Sequence, residues 1–107
     1  MRPITSTIDR YADRFVSNSA AYRNDLDQLA ERMRFSIEGG RGRQRSIERH
    51  HSRGKVMVRE RIDLVTDNAT PFLEFSTLSA WGQYDDEAPG AGIVTGIGLV
   101  HLSLIHI

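Results

Sequence analysis

Arg53, Lys55, Arg59 and Arg61 are the side chains whose type and spacing best suit them to chemistry in this sequence. They close the stretch from Arg41 to Arg61, which holds eight Arg or Lys against two Glu in a chain of zero formal net charge. The forty residues before it balance six basic with six acidic side chains, and the forty-six after it carry six acidic and no Arg or Lys. The neutral total therefore hides a charge dipole that draws anions to the middle third. The planar fork of arginine suits phosphate and lysine adds a point charge, so these four residues are candidates to hold a phosphorylated ligand. Two other accounts use the same residues: a salt-bridged surface, with Arg59 and Arg61 pairing to Asp85–Glu87, and a small nucleic-acid-binding protein using residues 41–61. Against the latter, residues 36–71 contain no aromatic side chain to stack a base.

The remaining candidates point to structure. Gly90, Gly92, Gly96 and Gly98 do not have the spacing of a dinucleotide fingerprint, and no Gly-Lys-Ser/Thr is present. His50 and His51 are adjacent, so on a helix they diverge by about 100° and make a poor chelating pair. Asp85, Asp86 and Glu87 beside Pro89 read as a solvated loop. No catalytic residue and no metal site is assigned. The absence of cysteine excludes disulfide scaffolds, Cys-based zinc sites and thiol nucleophiles. Mean hydropathy is −0.40, and no apolar run approaches the ~20 residues of a spanning helix. Nor does the N-terminus carry the apolar core of a secretion signal. The cytoplasm is the default compartment.

These side chains need elements to carry them. From Tyr11, the residues Phe15, Ala21, Tyr22, Leu26, Leu29, Met33 and Ile37 recur mostly three or four apart, which predicts one amphipathic helix within residues 1–40, ended by Gly39-Gly40. Ser17 or Ser19 are candidate caps for a restart within it. A short helix over Arg43–His50, a turn at Ser52-Arg53-Gly54 and a second helix over Val58–Leu64 are expected next, with Val58, Ile62 and Val65 on one side. Phe72, Leu73, Phe75, Leu78 and Trp81 form the densest apolar cluster, with a short strand near Leu73–Phe75, and Trp81 with Phe72, Phe75 and Leu78 is expected to pack into a small core against the amphipathic helix or the terminal strand. Alternation over Gly92–Val100 predicts a strand whose glycines allow close backbone approach and whose neighbour is missing.

In order along the chain stand Gly39-Gly40, His50 with Ser52-Arg53-Gly54-Lys55, Arg59 to Asp63, Pro71 to Glu74, and the Gly92–Gly98 strand. This succession resembles the opening of the carboxyltransferase β subunits of biotin-dependent acyl-CoA carboxylases, and the wording around Gly90–Gly98 looks most like the methylcrotonyl-CoA branch, with propionyl- and geranyl-CoA carboxylases near. The resemblance implies an α/β fold: the N-terminal portion of a crotonase-like domain, truncated, with a long N-terminal helix, short helices and the first strands of a sheet. It implies residues 41–101 as the start of the carboxyltransferase domain, and a reaction moving a carboxyl group from carboxybiotin to an acyl-CoA. The catalytic backbone N–H groups of that family lie further along its chain, so the fragment alone is expected to be inactive.

The same resemblance implies a homo-oligomer of β subunits, a biotin carboxylase/biotin carrier α subunit that brings biotin, acyl-CoA as substrate with its phosphates on Arg53, Lys55, Arg59 and Arg61, and neither metal, nucleic acid nor membrane as partner. The compartment is cytoplasmic, or the mitochondrial matrix in a eukaryote. After Gly98 the sequence departs from the family's basic residue and Gly-containing hairpin. Residues 102–107 resemble translated adapter read-through and are expected to be a non-native tail. The alternatives are the nucleic-acid-binding protein and a stand-alone helical interaction module.

Overall fold

The computed structural model describes residues 3–107 and divides the chain into two compact units, residues 1–31 and 32–107. Helix α1, Asp13–Ile37, is continuous. Neither Ser17 nor Ser19 restarts it. Its end follows from glycine: the N–H groups of Gly39 and Gly40 return to the carbonyls of Ser36 and Phe35 at 2.9 and 3.0 Å, and both glycines hold positive φ, 103° and 61°. The apolar stripe that predicts the helix is nevertheless left uncovered. In the first unit Tyr11, Phe15, Tyr22, Leu26 and Leu29 are all exposed.

Everything that positions the basic stretch belongs to the second unit. Helix α2, Arg43–His51, starts where the backbone N–H groups of Arg41 and Gly42 bond the carbonyls of Asp86 and Glu87. It stops at Gly54, whose φ of 66° lets the N–H groups of Arg53 and Lys55 both return to the His50 carbonyl. Helix α3, Val58–Val65, begins with the Glu60 carboxylate reaching back to the Met57 N–H at 2.7 Å. Of the three side chains expected on its packed side, only Ile62 is buried, while Val58 and Val65 remain exposed.

The sheet runs β1-β2-β3 in spatial order, antiparallel throughout: β1 Leu73–Phe75, β2 Thr95–Val100 and β3 Ser103–His106. The expected strand starts later than Gly92, because Ala91 and Gly92 take positive φ in a turn. It is also not partnerless. Residues 103–106 return along it through a two-residue hairpin, so β2 is the central strand and β1 and β3 are the edges. Gly96 and Gly98 are buried; a Cβ on Gly96 would run into the Phe72 ring and the Leu73 carbonyl, and one on Gly98 into the Thr66 methyl. Phe72 can approach β2 this closely because Gly96 lacks a side chain.

The apolar cluster meets both of the elements expected to cover it. Trp81 meets α1, edge-on to Phe35 at 5.9 Å between ring centres, with the Arg32 guanidinium 5.5 Å from its own ring centre. Phe72 goes to the sheet and Phe75 stays exposed. Ile62, Ala80 and Pro89 are the buried apolar side chains among the described residues, joined by Ser36, whose hydroxyl donates to the Thr77 carbonyl.

Candidate functional site

The α2–turn–α3 segment presents its cations in two ways. Arg59 is held: its Nη1 and Nη2 donate to the two Glu74 oxygens at 2.5 and 2.8 Å, and its Nε donates to the Ile37 carbonyl at 3.0 Å. The Glu74 side chain is only 13% exposed. This bidentate pair therefore ties α3 to β1 and to the end of α1. The expected acidic partner for Arg59 was Asp85–Glu87; Glu74 takes that place, and Glu87 instead faces Arg45 at a loose 3.7 Å. Arg61 is exposed and pairs with no carboxylate among the described residues.

Arg53 and Lys55 are presented outward. Both are exposed on the turn closed by Gly54, neither side chain bonds a described residue, and a Cβ on Gly54 would meet nothing within 4 Å. The turn leaves both cations in open solvent. It is fastened from behind by the 2.9 Å bond from the Lys55 N–H to the His50 carbonyl and by the Ser52 hydroxyl on the Arg49 carbonyl.

Beside this turn lies a cavity of about 700 Å³. Its walls come from the end of α1, from the Arg43, Ser46, Ile47 and His50 face of α2, from Met57 and Val58, and from the 87–94 loop. Spacing alone did not single out Arg43, Arg49 and His50 as a group, although Arg43, Ser46, Ile47 and His50 share one helix face by their three- and four-residue steps. Four carboxylates, Glu38, Glu60, Glu74 and Glu87, line the same cavity. They offset its arginines, so the cavity is an amphipathic slot with no strong net charge.

Asp67 follows α3 and holds the hairpin. Its carboxylate accepts the N–H groups of His101 and Leu102, both at 2.8 Å, and these bonds, Leu102 first, hold its pKa below the ordinary aspartate value. The acidic loop has a structural task as well, since an Asp86 oxygen accepts the Gly82 N–H at 2.8 Å. No group of three or more metal-ligating side chains occurs among the described residues. No helix among them is long and apolar enough to cross a membrane.

No protein-family model matches the chain. Individual relatives do. The chain is 56% identical over 59 residues to a biotin-dependent 3-methylcrotonyl-coenzyme A carboxylase beta1 subunit of Mycobacterium tuberculosis, covering 55% of this chain and 11% of the relative. It is 39% identical over 100 residues to the mitochondrial methylcrotonoyl-CoA carboxylase beta chain of Dictyostelium discoideum, covering 92% of this chain and 16% of that one. These relatives are acyl-CoA carboxylase β subunits, and most of this chain is similar to a part of them. It spans only about a tenth to a sixth of the length of these β-subunit relatives. The crystal structure of the P. aeruginosa geranyl-CoA carboxylase beta subunit aligns over 96% of this chain and 19% of that one, with a TM-score of 0.53 at 22% identity. That likeness concerns the fold. Helices followed by a small antiparallel sheet fit the opening of a crotonase-like α/β domain, as the β-subunit resemblance implied.

Proposed function

We propose that this chain is the opening part of a carboxyltransferase subunit that moves a carboxyl group from carboxybiotin to an acyl-CoA, 3-methylcrotonyl-CoA by preference and propionyl- or geranyl-CoA as relatives of the same class, and that it is inactive by itself. The sequence identity to named β subunits carries the reading. Within it, Arg53 and Lys55 meet phosphates of coenzyme A. Their support is geometric: two cations that flank Gly54 in a turn, both exposed and without a carboxylate partner among the described residues. Arg61 is a third free cation on α3. Arg59 spends its fork on Glu74 and buttresses the site instead of reaching the ligand.

Biotin, carried by a biotin carboxylase/biotin carrier α subunit, supplies the carboxyl group to a homo-oligomer of β subunits. The relatives from Dictyostelium discoideum, Arabidopsis thaliana and Drosophila melanogaster are named as mitochondrial. A matrix location follows for this protein if its source is eukaryotic, and the cytoplasm otherwise. Residues 102–107 remain proposed as a tail foreign to the natural gene, which resequencing across the codon for His101 tests directly.

The decisive assay uses the full-length subunit with its partner. A sheltered charge-assisted phosphate contact contributes about 1.5–3 kcal/mol. Replacing Arg53 or Lys55 by Ala should therefore raise the KM for acyl-CoA about ten- to a hundredfold and leave kcat nearly unchanged, because the phosphates are remote from the reacting carbon. Unchanged KM values in both variants would remove the phosphate assignment.

A further inference from the structure

We propose that Arg49 is a further coenzyme A contact, the one that reads the 3′-phosphate and so selects acyl groups carried on free coenzyme A. The inference rests on the carboxyltransferase reading above and extends it to a residue outside the Arg53–Lys55 turn. Three arginines, Arg43, Arg49 and Arg59, line the cavity beside that turn, together with Glu38, Glu60, Glu74 and Glu87. Each of these carboxylates is already engaged. Glu38 faces Arg43 at 4.0 Å, Glu60 accepts the Met57 N–H, Glu74 takes the fork of Arg59, and Glu87 faces Arg45 at 3.7 Å. Arg49 is thus the cavity arginine left without a carboxylate among the described residues, and it is exposed.

Its position relative to Arg53 supplies the second reason. The Ser52 N–H returns to the Glu48 carbonyl at 2.9 Å and the Arg53 N–H to the His50 carbonyl at 3.1 Å, so the helical winding of α2 continues through Arg53. Four residues apart on that path, Arg49 and Arg53 share one face and lie about 6 Å apart along the axis. Coenzyme A carries a diphosphate on the 5′ carbon of its ribose and a phosphate monoester on the 3′ carbon, so both anionic groups hang from one sugar ring. The cation pair Arg53 and Lys55 suits the diphosphate, and the single fork of Arg49 suits the terminal oxygens of the monoester. An acyl group on 3′-dephospho-coenzyme A, or on the phosphopantetheine arm of a carrier protein, lacks that monoester. Cations in the last turn of α2 also oppose the helix dipole, which is a structural role. That role is indifferent to whether the substrate has a 3′-phosphate.

The test is steady-state kinetics of the full-length subunit with its biotin-carrying partner, on 3-methylcrotonyl-CoA and on the 3′-dephospho analogue of that substrate. The parent should show a KM about ten- to a hundredfold higher for the analogue. Arg49→Ala should raise the KM for the acyl-CoA to that of the analogue and leave the analogue's KM where it was, so that the preference disappears. Arg53→Ala should raise both KM values by the same factor and keep the preference. Arg49→Lys should restore part of it, since an ammonium keeps the charge and loses the fork. Arg49→Gln carries the same test if the alanine variant does not fold by circular dichroism. A parent that takes both substrates alike overturns the inference, as does an Arg49→Ala subunit that keeps the parent's preference. A lost preference in Arg49→Ala with Arg53→Ala and Lys55→Ala silent removes the earlier phosphate assignment and upholds this one. A parent that turns over no acyl-CoA removes the carboxyltransferase reading, and this inference with it.

Discussion

Arg59 reaches three acceptors on two other segments, and its partner Glu74 is nearly buried, so removing the guanidinium strands a carboxylate in a poorly solvated place. Hydrogen bonds to charged groups contribute about 1.5–3 kcal/mol, and the loss is largest when one partner is left behind. Arg59→Ala should destabilise the chain by roughly 2–3 kcal/mol in chemical denaturation. Arg59→Lys should recover only part of that, because an ammonium cannot span both Glu74 oxygens and the Ile37 carbonyl. A variant as stable as the parent would show that the fork carries no net stabilisation. Asp67 makes a pH-dependent contribution. Its carboxylate has a depressed pKa through bonds from the Leu102 and His101 N–H groups. The stabilisation is therefore present above the ordinary aspartate value and is lost as pH falls through the folded-state value. Asp67→Asn should be less stable than the parent at neutral pH, with the gap between their urea midpoints closing on acidification. A gap that stays constant with pH would rule out the carboxylate as its cause.

At the scale of elements, two glycine turns of equal sign have different consequences. Gly40, at φ 61°, is packed so that a Cβ would collide with the Pro89 ring and the Asp86 carbonyl, whereas Gly54, at φ 66°, has open space. Gly40→Ala should cost roughly 2–4 kcal/mol and Gly54→Ala about 1, the latter reflecting left-handed strain alone. Equal midpoints for the two variants would mean that backbone conformation, not the α2–loop junction, dominates at Gly40. The hairpin runs the other way: His101 and Leu102 hold φ of 49° and 62° where a turn of this kind prefers Asn-Gly. Leu102 is 90% exposed, so Leu102→Gly sacrifices no packing and should raise the thermal midpoint.

The same elements show what the sequence discloses. Helix periodicity and glycine stops place α1, α2 and α3 within a residue or two, because both signals are local. The partner of Arg59 was not legible, since which carboxylate it meets depends on the register that brings β1 beside α3. Nor was β3. Its apolar run follows a turn that lacks the usual glycine, and only Asp67, far away in sequence, supplies acceptors that hold that turn. The cavity beside α2 is likewise a product of the 87–94 loop folding back, a step that no spacing rule encodes.

The whole chain exposes 9070 Å² of accessible surface at 12.1 kDa. A folded monomer of that mass exposes about 6000 Å² by the usual scaling. The excess agrees with a core of few fully buried apolar side chains and with the open stripe of α1 in the first unit. The exposed apolar side chains include Tyr22, Leu26 and Leu29 of α1 and Leu64 and Val65 of α3. Hydrophobic burial contributes about 25 cal/mol per Å², so uncovered area of this size forgoes much of what normally offsets chain entropy. The 107 residues alone should therefore bind a hydrophobic dye and melt over a broad range, and Trp81, whose cover is Phe35 and Arg32, should shift its emission to the red well before the far-ultraviolet signal of the helices is lost. Coincident, sharp transitions in the isolated chain, with no dye bound, would show that residues 32–107 already contain a complete core.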